Sequence, residues 1–231
     1  MIISKTPYRI PLSGGGTDID FYYKKFGSKF ISATVTEYVY VFLTERKLDN
    51  NHMIQTSVVQ FANSVKDIKH ILIRETIKYF RLKENFQIST VSTVPTSTGL
   101  GTSSAMVVGL INCIKKFKNL KLSQNEIFKI AYKIERKTCK FEGGWQDQIA
   151  SVFGGLVDVA ISKNEIIKIN KKKNLNCINK VVNNHFLLVY SNKKRPSAKI
   201  IKSQKKNIKK TYEFYNKIKK FNEPMSKAIQ S

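Results

Sequence analysis

The run Pro95-Thr-Ser-Thr-Gly-Leu-Gly-Thr-Ser-Ser-Ala105 lies between a β-type segment, Gln87–Val94, and an apolar pattern at helical spacing: Met106, Val107, Leu110, Ile111 and Ile114. Gly99 and Gly101 permit a tight turn with no side chain over it, so backbone amides can face a ligand. The first turn of the following helix adds unpaired N–H groups and the positive end of its dipole, which together suit an anion. Hydroxyls of Thr102, Ser103 and Ser104 can donate to phosphate oxygens or bind a magnesium ion. No Gly-Lys-Ser/Thr follows the glycines, so this is not a Walker loop. The run reads as a phosphate cradle or, more simply, as a glycine-rich connection.

Three further segments carry groups able to do chemistry. In Lys5-Thr-Pro-Tyr-Arg-Ile-Pro-Leu-Ser-Gly-Gly-Gly-Thr-Asp18, a small polar ligand can rest against Gly15, Gly16 and Thr17. There Asp18 could accept hydrogen bonds from sugar hydroxyls and Arg9 could offer fixed charge to phosphate; a capped turn is the plainer reading. A helix starts at Ser123, where Ser123 and Glu126 spell a capping box and Ile127, Phe128, Ile130, Ala131 and Ile134 form its apolar stripe. Glu135 falls on or beside that stripe, as a metal ligand or an ordinary helical charge, and Arg136 reads as solvated. In Glu142-Gly-Gly-Trp-Gln-Asp-Gln-Ile149, Asp147 sits among uncharged neighbours, as a reactive acid or a first-turn helix cap. Trp145 could stack on a sugar ring or fill the core.

Taken in this order, the segments resemble the GHMP kinase superfamily, the group of galactokinase, homoserine kinase and mevalonate kinase. Pro7–Asp18 is similar to its first motif, and Pro95–Ala105 to its phosphate-binding motif with Thr102 in place of a serine. Gln146-Asp-Gln148 followed by Phe153-Gly-Gly-Leu156 resembles the sugar-1-kinase branch that includes heptose 7-phosphate kinases. The Gly-Gly-Trp-Gln-Asp-Gln wording is closer to fucokinase-like members.

The resemblance implies roles. Pro95, Thr98, Gly99, Leu100, Gly101, Thr102, Ser103 and Ser104 would wrap the phosphates of ATP. Ser103 and Glu135 would hold Mg²⁺. Asp147 would face the accepting hydroxyl with Arg9 beside it. Gly15, Gly16, Thr17, Asp18, Trp145 and Gln146 would bind the sugar. Arg195, with Lys193 or Lys194, would hold a phosphate already on the acceptor, although a solvated basic loop explains those residues equally well. The implied reaction is phosphorylation of an anomeric hydroxyl, with D-glycero-D-manno-heptose 7-phosphate as the first choice of acceptor. The last glycine is Gly155, so the family's third, glycine-rich motif has no counterpart here. The chain therefore reads as stopping early in a second domain: an active kinase, a split enzyme awaiting its other half or a homo-oligomer partner, or an inactive fragment.

Composition adds limits. Forty-two per cent of the 231 residues are hydrophobic, which suits a globular chain with one good core. No apolar run reaches the ~18 residues that span a bilayer, and the start, Met1-Ile-Ile-Ser-Lys, leaves no room for a signal peptide. Cys113, Cys139 and Cys177 show no metal spacing and read as reduced thiols, so a cytoplasmic location is expected. The net charge of +25, of which +16 falls from Lys163 onward, allows a third reading as a basic nucleic-acid binder. Against it, Lys outnumbers Arg and aromatic interleaving is missing.

These residues must be positioned by mixed elements. Strands are expected at 1–6, 29–46, 86–94, 156–161, 166–169 and 185–191. Helices are expected at 19–26, 65–81, 103–117, 123–137, 145–152 and 196–220. That pattern reads as α+β, and the resemblance adds a ribosomal-S5-like N-terminal domain over 1–165 and an incomplete C-terminal domain over 166–231. The lysine-rich amphipathic end, with Tyr212, Phe214, Tyr215, Ile218 and Phe221, is expected to expose its apolar face and so to limit solubility or to associate with a missing partner piece.

Overall fold

The structure is a computed structural model and describes residues 1–96, 98–172 and 197–229, with Asn184, Leu187 and Val189. Its centre is β2 (Ser28–Glu45), the long strand of a seven-stranded sheet. β1 (Ile2–Ser13) runs antiparallel along one edge of β2, from Ile2 opposite Leu43 to Ser13 opposite Ile31. The opposite edge is shared. β5 (Phe86–Ser92) pairs with Val39–Glu45, and β6 (Leu156–Ile161) pairs with Ser28–Ala33. β7 (Ile167–Lys172) continues outward from β6, while β3 (His52–Gln55) and β4 (Val59–Ala62) continue from β5.

This split of β2 creates the place for a site. At its rims Thr34 N–H donates to the Gly155 carbonyl and Thr93 N–H donates to the Tyr38 carbonyl. β5 thus runs into the glycine-rich loop on one side of the split. On the other side α5 (Gln146–Phe153) ends just before Gly155. Arg9 of β1 is the residue opposite Thr34, level with the split.

α3 (Thr102–Phe117) lies on the sheet because Gly109 has no side chain: a Cβ there would come within 2.9 Å of Val41 Cγ2 and 3.0 Å of Thr6 Oγ1. α2 (Ile71–Phe80) and α4 (Gln124–Tyr132) pack beside it. Val41, Leu43, Ile54 and Ile88 from strands meet Leu72, Ile73, Val107, Leu110, Ile111 and Ile127 from helices in one buried cluster. Each such side chain contributes roughly 1.5–3 kcal/mol by leaving water. A second cluster joins Phe30, Phe128, Tyr132, Trp145, Ile149 and Val157 beneath α5. The α+β class expected from the sequence is the class the chain forms.

Several boundaries differ, for identifiable reasons. β1 continues through Pro7 and Pro11 because, among the described residues, it pairs only with β2, and an edge without a partner there does not need the missing prolyl N–H. The expected helix over 65–81 breaks into a 3-10 turn, Val65–Asp67, and α2. Gln60 causes the break by accepting from Lys69 N–H at 2.9 Å and donating to the Asp67 carbonyl at 2.7 Å. The short pair β3 and β4 has no expected counterpart. The helix expected over 123–137 opens into a π-helical segment, Lys133–Thr138. The strand expected at 185–191 and Cys177 lie outside the described residues. Cys113 and Cys139 are buried and free. Among the described residues no helix is long and apolar enough to cross a membrane.

The C-terminal end is a correction. It forms α6 (Ser197–Lys206), α7 (Ile208–Lys220) and α8 (Asn222–Ala228), and its apolar face is covered at Tyr212 and Tyr215 while Phe214 and Phe221 stay exposed. Tyr212 and Tyr215 pack on Phe21, Tyr22 and Phe26 of α1 (Asp20–Phe26). Tyr22 donates to Asn216 Oδ1 at 2.6 Å, and Lys219 Nζ donates to the Phe26 carbonyl at 2.6 Å. Only the far side of the helices exposes aromatic rings, at Phe214 and Phe221.

Candidate active site

Arg9, Asp147 and the glycine-rich loop meet at the split. Arg9 Nε donates to Asp147 Oδ1 at 2.7 Å, and Arg9 Nη2 pairs with the same oxygen. Arg9 Nη1 donates to the Gly99 carbonyl at 2.8 Å, and the Leu100 carbonyl accepts from Arg9 N–H at 3.2 Å. C=O and N–H point opposite ways in a trans peptide, so this anchoring turns the Leu100 and Gly101 amides away from β1. Gly99 and Gly101 supply the positive φ that the loop requires, +81° and +75°. Gly101 is also the N-cap of α3 and brings no side chain to it, which leaves first-turn amides free for an anion.

Asp147 stands at the start of α5 with its side chain 23% exposed. Its second oxygen lies 3.6 Å from Arg136 Nη2. Burial would raise the Asp147 carboxyl, but attraction by Arg9 and Arg136 and the Arg9 hydrogen bonds outweigh it, so it stays below its ordinary value. Arg136 is therefore not a solvated charge. It is 9% exposed and bridges two carboxylates, with Nη1 3.9 Å from Glu135 Oε1. Only an α-helical period would carry it outward, and the π segment breaks that period. Gly143 makes room, since a Cβ there would sit 2.5 Å from Arg136 Cζ.

Glu135 is completely buried. Its Oε2 accepts from Gln148 Nε2 at 2.5 Å, and the same amide lies 3.1 Å from Ser104 Oγ. Its Oε1 has no hydrogen-bond partner among the described residues. Burial pushes its carboxyl up, against the pull of Arg136 and the Ser104 and Gln148 hydrogen bonds. Gln148 carried no assignment from the sequence, although it is the amide that joins the loop helix to the acid. The hydroxyl tied to Glu135 is that of Ser104, which is buried, whereas Ser103 is exposed on the same first turn. A buried carboxylate with an oxygen that makes no hydrogen bond, next to the Ser104 hydroxyl and an uncapped helix start, fits a divalent cation carrying phosphate oxygens.

The Gly14–Asp18 loop lies beside Gln146. Asp18 Oδ2 accepts from Gln146 N–H at 2.8 Å. Burial raises the Asp18 carboxyl; the Gln146 bond opposes this, and the Asp147 charge adds to it. The Gln146 amide nitrogen is buried and unpartnered among the described residues. Gly15 lines the loop near it, and Gly16 touches Tyr215. Two expected sugar contacts are corrected. Thr17 is buried, and its hydroxyl is bound to the Gly14 carbonyl at 2.8 Å and Ser28 Oγ at 2.7 Å, which shapes the loop. Trp145 lies flat on Tyr132, with ring centroids 3.4 Å apart, in the second core cluster. Pro95 is exposed and Thr98 half-buried at the head of the glycine-rich loop. Arg195, Lys193 and Lys194 lie outside the described residues.

Gly144 packs against the Asp18 carboxylate so closely that a Cβ would overlap it and the Asp18 carbonyl. Gly144→Ala is expected to cost about 3 kcal/mol or more. Gly99→Ala, whose Cβ meets nothing within 4 Å, should cost only the left-handed backbone term of roughly 1–2 kcal/mol. Denaturant unfolding of the two variants checks the ordering.

Residues 63–155 match the model of the GHMP kinases N terminal domain. Over 216 residues the chain is 34% identical to D-glycero-alpha-D-manno-heptose 7-phosphate kinase of Campylobacter jejuni subsp. jejuni serotype O:2, covering 89% of this chain and 63% of that protein. A D-glycero-D-manno-heptose 1-phosphate kinase from Bacteriodes thetaiotaomicron superposes with a TM-score of 0.70 at 31% identity, over 75% of this chain and 60% of that one. Methanococcus jannaschii mevalonate kinase, at 22% identity, shares the fold with a TM-score of 0.72 over the whole of this chain and 73% of that one. The chain thus spans a little under two thirds of the two heptose phosphate kinases it matches. The loop at Pro95–Gly101, Glu135 and Asp147 all fall within the stretch 63–155 that matches the GHMP kinases N terminal domain.

Proposed function

We propose that this protein transfers the γ-phosphoryl group of ATP to the anomeric hydroxyl of a sugar or sugar phosphate in the cytoplasm, with D-glycero-D-manno-heptose 7-phosphate as the preferred acceptor. The observation that carries the reading is Asp147, held between Arg9 and Arg136 beside the uncapped start of α3. The 34% identity with a heptose 7-phosphate kinase supports the acceptor. Residues 1–165 would form the ATP-binding domain and 166–231 the start of the second.

In this reading the amides of Leu100 to Ser104 hold phosphate oxygens, and Arg9 neutralises charge that builds during transfer. The anomeric oxygen bonds to the γ-phosphorus as the bond to the β–γ bridging oxygen breaks. Asp147, ionised at neutral pH, aligns the hydroxyl and takes its proton as the new bond forms. Ser103, Ser104 and Glu135 are the groups that would hold Mg²⁺, which screens phosphate charge when bound. The sugar rests on Gly15, Gly16 and Asp18, with Gln146 as a donor.

The protein incubated with ATP, Mg²⁺ and heptose 7-phosphate should release ADP and give a new anomeric phosphate resonance in ³¹P spectra. No ADP above the acceptor-free blank at high enzyme concentration rejects the reading.

A further inference from the structure

Arg136 is held in the site from three directions. Its Nε donates to the Gly144 carbonyl at 3.4 Å, its Nη1 lies 3.9 Å from Glu135 Oε1 and its Nη2 lies 3.6 Å from Asp147 Oδ2. Gly143 lets the guanidinium lie against the backbone, since a Cβ there would come within 2.6 Å of Nη2 and 2.9 Å of Nε. With the side chain 9% exposed, the charge is fixed in place. The two oxygens of Asp147 are not alike. Oδ1 accepts from Arg9 Nε at 2.7 Å and pairs with Arg9 Nη2 as well. Oδ2 makes no hydrogen bond among the described residues and has Arg136 as its ion-pair partner. The oxygen open to a proton is thus Oδ2, and the group beside it is Arg136.

We infer that Arg136 is a positioning residue for phosphoryl transfer, which aims Asp147 Oδ2 at the accepting hydroxyl and sets its charge against that of a cation at Glu135. This rests on the kinase reading above and deepens it. A guanidinium at each oxygen holds both edges of the carboxylate, and a misplacement of about 1 Å at a reacting group can cost about a hundredfold in rate. Lysine is no equivalent, because one ammonium on a flexible stem cannot face Asp147, Glu135 and the Gly144 carbonyl at once. At Glu135 the same charge opposes a divalent cation, since like charges repel across a poorly screened interior. Arg136 therefore speeds transfer while weakening metal binding. A residue that only supported the fold would not separate the two.

Arg136→Lys keeps the charge and loses the fork. Its kcat should fall about tenfold to a hundredfold, with the KM for ATP and for heptose 7-phosphate within about twofold of wild type. Arg136→Met loses the charge as well. Its kcat should fall at least as far, yet in the presence of ADP it should bind Mn²⁺ about fivefold tighter in spin-resonance titrations. Thermal unfolding identifies variants that have lost the fold. If the methionine variant is among them, the split between kcat and KM in the lysine variant decides alone.

A lysine variant with kcat within about threefold of wild type overturns the inference and leaves the kinase reading standing. So does a folded methionine variant that binds Mn²⁺ more weakly than wild type. Absence of sugar phosphorylation by the wild-type protein removes the kinase reading and the inference together.

Discussion

Asp147→Asn is expected to slow phosphoryl transfer by about two to four orders of magnitude, the usual worth of a positioned proton acceptor. The substitution keeps the size of the side chain and one acceptor oxygen for Arg9. It removes the charge that faces both Arg9 and Arg136. Acceptor KM should change little beside kcat, because the loss falls on the reacting hydroxyl rather than on the sugar ring. Single-turnover measurements with saturating ATP would check this. A fall of less than tenfold would leave the carboxylate without its proposed role. The acid limb of the wild-type rate profile should lie below the ordinary aspartate range, since the two guanidinium groups hold this carboxyl down against its burial. A depressed group contributes stability above its unfolded value and loses it as pH falls through its folded value. The stability deficit of the asparagine variant should therefore be full at neutral pH and fade below about pH 4, near the reference aspartate value.

Glu135→Gln should divide activity from stability. Turnover is expected to drop by about a hundredfold or more, because a carboxylate that binds the metal accounts for several kcal/mol of charge stabilisation. Without nucleotide, the variant should be the more stable protein at neutral pH, by roughly 1–3 kcal/mol, the cost of an unsatisfied buried group. The reason is that Glu135 Oε1 is buried without a hydrogen bond among the described residues and has only the 3.9 Å ion pair to Arg136 against its burial, while a glutamine keeps an acceptor for Gln148. The sign with pH is opposite to that for Asp147. Burial raises the folded value of Glu135, so the stability of its protonated form is present below the unfolded value and lost as pH rises through the folded one. The melting temperatures of wild type and variant should converge near pH 4 and separate above it. A variant less stable than wild type at neutral pH would contradict this account.

Much of the frame was legible because local signals and tertiary pairing agree. The Ser123–Glu126 box caps α4 with both reciprocal bonds, and the valine-rich stretch 156–161 is β6 at those bounds. Glu135 and Asp147 were selected from sequence, and both stand in the cluster. What escaped was decided by contacts far apart in the chain. Arg136 reads as an outward charge until a π-helical turn redirects it toward Asp147. Trp145 reads equally as a sugar platform or a core residue until Tyr132 lies flat against it. Gln148 shows no pattern of its own, since its value comes from Ser104 and Glu135 arriving from two other helices. Likewise, no local feature near Gly16 announces that Tyr215 will rest on it.

That last contact has a bearing on how the protein is made. Gly14 lies under Asn222, whose amide binds the Lys29 carbonyl 193 positions earlier in the chain. On the ribosome, the sheet can assemble once β7 has emerged. The loop at residues 14–18 keeps an unbacked surface until Tyr215 and Asn222 have left the exit tunnel. Such late pairing of early residues slows the final step of folding. Nascent chains stalled before residue 197 should be cleaved by protease within residues 14–18 at sites that the released protein protects.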